Sequence, residues 1–241
     1  MKREITSKKV LMMLYWYTLI SFIIPTVYLI FRIVFSENAP LESGQYRTRA
    51  EYVLMLIQCM LGLVVMHLPA MIERKLKFDI PNILQFIYLV FLYCAIFLGE
   101  VRNFYYLIPQ WDNILHCISS IMNGLFGFMA VTILNHDQKV RMNLSPFFVA
   151  LFAFCFSITV GSIWEIYEFL ADGFLGLNMQ KFMLRDGTIL LGHEAVADTM
   201  IDIIVDSAGA LIATVIGYFS IKNKKGWVHD YLSKESNENN E

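Results

Sequence analysis

Long apolar runs separated by short polar segments are the dominant pattern along this 241-residue chain. A helix needs about 20 largely apolar residues to cross the hydrocarbon core of a membrane. The pattern predicts six such helices, over residues 10–35, 52–72, 80–98, 111–134, 146–170 and 199–221. The predicted fold is therefore all-α: a polytopic membrane protein with a single transmembrane domain over residues 1–232.

Three segments at the edges of these spans need separate assignments. Residues 10–35 form an apolar run longer than the roughly 7–15 residues of a secretory signal, and no small-x-small cleavage site follows, so we predict an uncleaved first helix. Residues 101–110 are aromatic but too few to span, which indicates an interfacial or re-entrant segment. Residues 233–241 are polar throughout and predict a disordered cytoplasmic tail.

The composition agrees with a membrane protein and excludes several other classes. Hydrophobic residues make up 57% of the chain and charged residues only 17%, whereas soluble domains carry about 25% charged residues. The net charge of -2 gives no reason to expect nucleic acid, and the expected partner is membrane lipid. The four cysteines lie inside apolar segments without CxxC spacing, so we expect neither a disulfide framework nor a zinc knuckle.

Lysine and arginine residues are unequally distributed between the two sides that six spans define. Without the tail 233–241, the side with both termini carries twelve of them, and the other side carries five: Arg47, Arg49, Arg102, Lys181 and Arg185. Cytoplasmic loops of membrane proteins carry the excess of these residues. We therefore predict that both termini are cytoplasmic.

Acidic residues lie near one end of each of the last three predicted helices. Because this topology starts the fourth and sixth helices outside and ends the fifth there, all of these residues fall on the extracytoplasmic side. Ionisable groups inside a membrane are costly and usually mark a functional site. The residues are Asp112 and His116 on the fourth helix, Glu165 and Glu168 on the fifth, and Asp198, Asp202 and Asp206 on the sixth.

Small residues continue the same faces toward the other end of each helix. Positions three, four or seven apart share one face of a helix. On these faces lie Ser119, Ser120, Asn123 and Gly127, then Ser157 and Gly161, then Gly209, Ala213 and Gly217. Membrane helices approach closely through small residues. We therefore predict that the last three helices pack together along these faces, with their acids pointing at one another.

Such a cluster allows several kinds of chemistry. Carboxylates with one imidazole suit a divalent metal ion, and the predicted ligands are His116, Glu165, Asp202 and Asp206. Without a metal, His116 and a carboxylate form a general acid/base pair, and the predicted catalytic set adds Glu168. The same groups can instead pass protons or bind a cation. Asp112, Asp198 and Thr199 are assigned as helix caps or as supporting residues.

A purely structural interpretation competes for each residue taken singly. An acid one turn inside a helix end often only reaches water or caps the helix. A lone buried histidine is more often a satisfied core residue than a ligand. His193-Glu194 lacks the second histidine of a zincin motif. The loop 172–197 is predicted either as a lid over the site or as an interfacial connector.

Three motifs resemble the YjdF-like family of bacterial membrane proteins and, more distantly, the VanZ-like family: Trp111-Asp-Asn-Ile-Leu-His116, Gly161-Ser-Ile-Trp-Glu-Ile-Tyr-Glu168 and Asp198-Thr-Met-Ile-Asp202-Ile-Ile-Val-Asp206-Ser-Ala-Gly209. The resemblance covers residues 111–217. VanZ-like chains tend to have Asn at the position of Asp206 and Gln at that of Glu168. They also have an arginine before the aspartate of the third helix, and in this chain Arg185 is the one candidate for it. These departures favour the YjdF-like branch, and the resemblance implies a location in a bacterial plasma membrane. Neither family implies a particular reaction.

The functional hypothesis is metal- or acid/base-assisted chemistry on an envelope lipid or lipid-linked substrate, at an extracytoplasmic site. The alternative is a protein without enzymatic activity. It would be a small transporter, a proton-coupled carrier or an accessory membrane subunit.

Overall fold

The structure, a computed structural model, describes residues 2–35, 39–40, 46–47, 49–76, 80–136, 144–184 and 187–225. Its helices are α1 (Lys2–Phe35), α2 (Arg49–Val65), α3 (Leu68–Leu76), α4 (Asn82–Leu92), α5 (Phe104–Leu107), α6 (Trp111–His136), α7 (Pro146–Leu175) and α8 (Ala197–Lys222). A π-helix (Tyr93–Val101) continues α4, and a 3₁₀ turn (Glu194–Val196) precedes α8. Two short antiparallel strands, β1 (Ala39–Pro40) and β2 (Tyr46–Arg47), pair between α1 and α2.

Six helical segments are long and apolar enough to cross a membrane: Lys8–Phe35, Arg49–Lys75, Asn82–Val101, Trp111–Val131, Pro146–Leu175 and Glu194–Lys222. The predicted all-α fold with six spans is therefore confirmed. The fifth span runs five residues beyond its predicted end at residue 170. The second span consists of α2 and α3, joined by a turn at Met66 and His67. Pro69 fits there because the first turn of α3 needs no intrahelical N–H donor.

The aromatic segment after the third span is a short helix and a turn. Asn103 takes a left-handed conformation with φ of 65°, which ends the π-helix and starts α5. The ring of Tyr105 fills the space where a side chain at Gly99 would lie, so only glycine allows this close approach. The segment predicted over residues 101–110 therefore folds back onto the end of the third span.

Residues 1–115, together with 173–177, form one compact unit. Its core lies between α1, α2 and the α4/π-helix segment. Leu29 packs there with Tyr52, Met55 and Cys59, and a second cluster is built around Phe22. Large apolar side chains thus fill the space between these helices.

The described residues within 116–172 and 178–225 form a second compact unit that contains most of α6 and α7 and all of α8. Its apolar cluster joins Phe128 and Val131 of α6 with Val149, Ala150 and Ala153 of α7. The expectation of a single domain over residues 1–232 stays a prediction. The predicted tail 233–241 lies outside the described residues.

The distribution of exposed and buried side chains is the reverse of that in a water-soluble protein. Large apolar side chains such as Met12, Val27 and Phe35 of α1 are exposed, whereas carboxylates of α7 and α8 are buried. In water this distribution would be unfavourable, since buried charge is costly and apolar surface avoids water. It is the distribution expected where lipid surrounds the helices.

Candidate functional site

Small residues let α6, α7 and α8 approach one another closely within the second unit. A Cβ atom on Gly127 would lie 2.6 Å from the backbone Cα of Ala153, so α6 and α7 nearly touch there. Gly209 of α8 packs directly against the Ser120 hydroxyl of α6. The Ser157 hydroxyl of α7 donates a hydrogen bond to the Ser120 carbonyl, at 2.8 Å. The predicted packing of these three helices along their small-residue faces is confirmed.

The imidazole of His116 meets carboxylates from both neighbouring helices. Its Nε2 atom lies 3.8 Å from Glu165 Oε1 and 3.9 Å from Asp202 Oδ2. Its Nδ1 atom lies 3.3 Å from Asp206 Oδ1. Glu165 belongs to α7 and the two aspartates to α8, so three helices contribute to one cluster. The structure brings these four side chains together as the helix faces predict, while their chemical role stays a prediction.

All four residues of this His116 cluster are buried. Asp202 is 0% exposed and Asp206 is 3% exposed. The other carboxylate oxygen of Asp206, Oδ2, occupies the space that a side chain at Gly161 would fill, so it packs directly against α7 at this glycine. The backbone of α7 thus fixes where this carboxylate lies.

Glu168 and Asp172 continue the acidic face of α7 beyond the cluster, and both are buried. Glu168 accepts a hydrogen bond from the indole nitrogen of Trp164, at 3.0 Å. Asp172 accepts hydrogen bonds from the backbone amides of Met179 and Gln180, at 2.7 and 3.0 Å. Asp172 therefore holds the chain where it leaves α7.

The start of α8 carries Asp198 and Thr199, which contact the preceding loop. The N-cap of α8 is Val196, and Asp198 lies in the first turn of the helix. Of the two predicted roles, cap or supporting residue, the second stays a prediction. The carboxylate of Asp198 forms an ion pair with Lys181, at 2.8 Å. The Thr199 hydroxyl accepts a hydrogen bond from the side-chain amide of Gln180, also at 2.8 Å. A carboxylate in the first turn is also favoured by the helix dipole.

Asp112 lies in the first turn of α6, one turn before His116, and is half-buried. The division between the two compact units falls between Leu115 and His116, so Asp112 belongs to the first unit. Its role as a cap or a supporting residue stays a prediction.

The loop between α7 and α8 has its own hydrogen-bonded structure. The backbone amide of Leu184 bonds to the Thr188 carbonyl, and that of Leu190 to the Phe182 carbonyl. Leu191 is 79% exposed, and Ile189 is exposed beside it, as is common for a segment at a membrane interface. A lid role for this loop stays a prediction, and Arg185 lies outside the described residues.

We predict that Asp172→Ala loosens this loop. The amides of Met179 and Gln180 would lose their acceptor, which costs about 1–3 kcal/mol for a buried group. Hydrogen exchange at these two amides should become roughly 5- to 100-fold faster. Asp172→Asn keeps one acceptor oxygen and should have a smaller effect, and the exposed Glu194→Ala should have none. Unchanged exchange in Asp172→Ala would contradict this anchoring role.

The cluster is chemically suited to moving protons. An imidazole can carry a proton on either nitrogen, and a carboxylate lies beside each nitrogen of His116. The distances of 3.8 and 3.9 Å at Nε2 exceed those of hydrogen bonds.

Residues 20–223 match the family described as Predicted membrane protein (DUF2238). The chain belongs to this family. The family description agrees with the six helices that can span a membrane, and the protein is an integral, multi-pass membrane protein.

One relative found by sequence comparison has no described function. An uncharacterised protein of Thermotoga maritima is 31% identical over 122 residues, which are 50% of this chain and 54% of that protein. The matched region thus spans about half the length of that relative. No solved structure matches the chain.

Sequence reasoning about this DUF2238 chain missed the residues that tie the loop to the helices. From the sequence, Lys181 bears only on membrane orientation, and nothing marks Gln180. Their signal in the sequence is weak, because isolated polar residues in a long loop have many available partners. The position of Asp172, one turn beyond Glu168 on the same face of α7, was the available clue.

Proposed function

We propose that this membrane protein carries out acid/base-assisted chemistry on an envelope lipid or lipid-linked substrate, with His116 as the general acid/base. The contact of carboxylates with both ring nitrogens of His116 carries this proposal. A positioned histidine of this kind accelerates proton transfer in enzymes by about 10²–10⁴-fold. The orientation of basic residues supports an extracytoplasmic site in a bacterial plasma membrane.

The residues of the cluster take different roles in this proposal. Asp206 lies beside Nδ1 and positions the ring, as a carboxylate does for the histidine of many active sites. Glu165 and Asp202 lie on the Nε2 side, where the reacting proton is exchanged with a substrate group. Glu168, held by Trp164, assists from the next turn of α7.

A divalent metal ion at Nε2 is the metal-assisted version of the same proposal. Of the predicted ligands, Glu165 Oε1 and Asp202 Oδ2 both lie within 4 Å of Nε2, which supports this version. Asp206 is a predicted ligand as well, and it lies beside Nδ1, where a carboxylate also supports a ligating histidine.

A proton-coupled carrier is the second candidate, and one observation favours it. Asp202 and Asp206 lie one turn apart on α8 and contact opposite nitrogens of the same ring. A proton can therefore pass through the imidazole along one turn of α8, as in the relays of transporters.

The test uses purified protein in nanodiscs made from a total bacterial envelope lipid extract. Lipid species are compared by mass spectrometry before and after incubation, with bound metal measured on the same samples. Wild type should convert at least one lipid species, and His116→Gln and Asp206→Asn should slow this by about 10²-fold or more. His193→Gln, at an exposed histidine, is the matched control and should act as wild type.

The possible results separate the candidates. Conversion that is equal in wild type and His116→Gln would contradict the proposal. Absence of bound metal in active wild type would exclude the metal version alone. No lipid conversion, combined with proton flux in proteoliposomes that requires His116, would support the carrier. The resemblance to the YjdF-like and VanZ-like families is limited to sequence motifs, and it does not indicate a substrate.

A further inference from the structure

An apolar groove lies between the far ends of α7 and α8, away from the His116 cluster. Its volume is about 480 Å³, within the usual range of ligand sites. Buried Ala150 and Thr214 form its floor, and its walls include Phe147, Phe154 and Tyr218. The groove exists because two small side chains face each other between larger aromatic ones.

The floor of this groove is apolar apart from the hydroxyl group of Thr214. The Thr214 hydroxyl donates its hydrogen bond to the Ala210 carbonyl of its own helix, at 2.8 Å. No polar group of the floor therefore needs a partner from a ligand, and an apolar chain can lie against it without loss of hydrogen bonds.

Three lysines follow directly at the end of α8: Lys222, Lys224 and Lys225. The ammonium of Lys222 lies 5.4 Å from the centre of the Tyr218 ring, which lines the groove. Positive charge therefore stands at the edge of the apolar surface. All three lysines are exposed.

The end of α8 holds these lysines in a defined turn. The Lys225 amide bonds to the Ser220 carbonyl and the Lys224 amide to the Ile221 carbonyl, the two bonds of a Schellman motif. Lys224 takes the left-handed conformation that this motif requires, with φ of 51°. The Ser220 hydroxyl also donates to the Lys225 carbonyl, at 2.7 Å. The lysines are thus positioned by the backbone.

We propose that this groove binds one anionic phospholipid, with an acyl chain between α7 and α8 and its phosphate at the three lysines. Basic pockets between membrane helices bind such headgroups, and each lysine adds to the attraction. The groove begins at Leu211, about 8 Å along α8 from Asp206, and Lys222 lies about 24 Å along α8 from Asp206. The phosphate of this lipid is therefore bound far from the His116 cluster, so this lipid is not the substrate of that cluster. The inference does not depend on the proposed function.

The test is a titration of the full-length protein in detergent with phosphatidylglycerol or phosphatidylcholine, read by native mass spectrometry. Wild type should bind phosphatidylglycerol roughly tenfold more tightly or better. The variant with Lys222→Gln, Lys224→Gln and Lys225→Gln should lose this preference. The matched control changes three other exposed lysines, Lys8→Gln, Lys9→Gln and Lys75→Gln, and should keep it.

A second variant tests the apolar part. Val215→Trp at the exposed wall fills the groove and should weaken binding of both lipids by roughly tenfold, at an unchanged thermal midpoint. Equal binding of the two lipids by wild type, or an unchanged preference in the lysine variant, would overturn the proposal. A Val215→Cys variant that forms a crosslinked dimer equally well with and without phosphatidylglycerol would also overturn it, since a second copy would then occupy the groove.

Discussion

Replacing His116 with leucine is expected to lower the free energy of unfolding by about 3–5 kcal/mol, the range for removing one partner of a buried ion pair. Leucine fills much of the same space but leaves Glu165, Asp202 and Asp206 close together without the imidazole between them. Their mutual repulsion, and the cost of burying charge, both destabilise the folded state. Thermal or denaturant unfolding of the purified protein in detergent measures this loss.

Two further variants decide whether charge is the reason. His193→Ala, at an exposed histidine, should change stability by less than about 0.5 kcal/mol. Adding Asp206→Asn to His116→Leu should recover part of the loss, because it removes one of the crowded carboxylates. A double variant that is less stable than His116→Leu would show that packing, and not charge, determines the effect.

Gly127→Ala is expected to destabilise the core of the second unit by about 1–3 kcal/mol, the range for overpacking. The added methyl group would meet the backbone of Ala153, at 2.6 Å from its Cα, and backbone cannot move aside as a flexible side chain can. Helices α6 and α7 would therefore have to separate. The expected result is a lower thermal midpoint in detergent.

Gly173→Ala is the matched control for that prediction. Gly173 also lies inside α7, but nothing lies within 4 Å of the position of its Cβ. Alanine should stabilise the helix there by up to about 1 kcal/mol, because glycine is the poorer helix former. A similar change for both substitutions would mean that close contact between α6 and α7 contributes little to stability.

The six spans and the faces of α6, α7 and α8 could be predicted from the sequence because both follow from simple periodicity. Apolar runs of sufficient length define spans, and the spacing of Asp198, Asp202 and Asp206 places them on one side of a helix. The position of His116 among Glu165, Asp202 and Asp206 followed from topology and small residues together. These features depend on the repeat of the α-helix and on small residues that let two helix backbones come close, and both can be identified from short stretches of sequence.

The contacts of individual atoms could not be predicted in the same way. The sequence places Asp206 near His116, but which ring nitrogen it approaches depends on side-chain rotamers and on the Gly161 backbone. The Lys181–Asp198 ion pair joins residues 17 positions apart across a loop, whose path no periodicity determines. The same holds for the amides of Met179 and Gln180, which reach Asp172 only because the chain turns back after α7.

The absence of a side chain at Gly161 has a consequence for how this site responds to substitution. Asp206 fills the space that a side chain there would occupy, so one carboxylate serves both as packing material between two helices and as the group beside Nδ1 of His116. A substitution at Gly161 therefore cannot change the packing between the helices without also moving the charged group beside His116. An uncharged substitution at Gly161 alters the electrostatic surroundings of His116, and its effect combines non-additively with any change at Asp206.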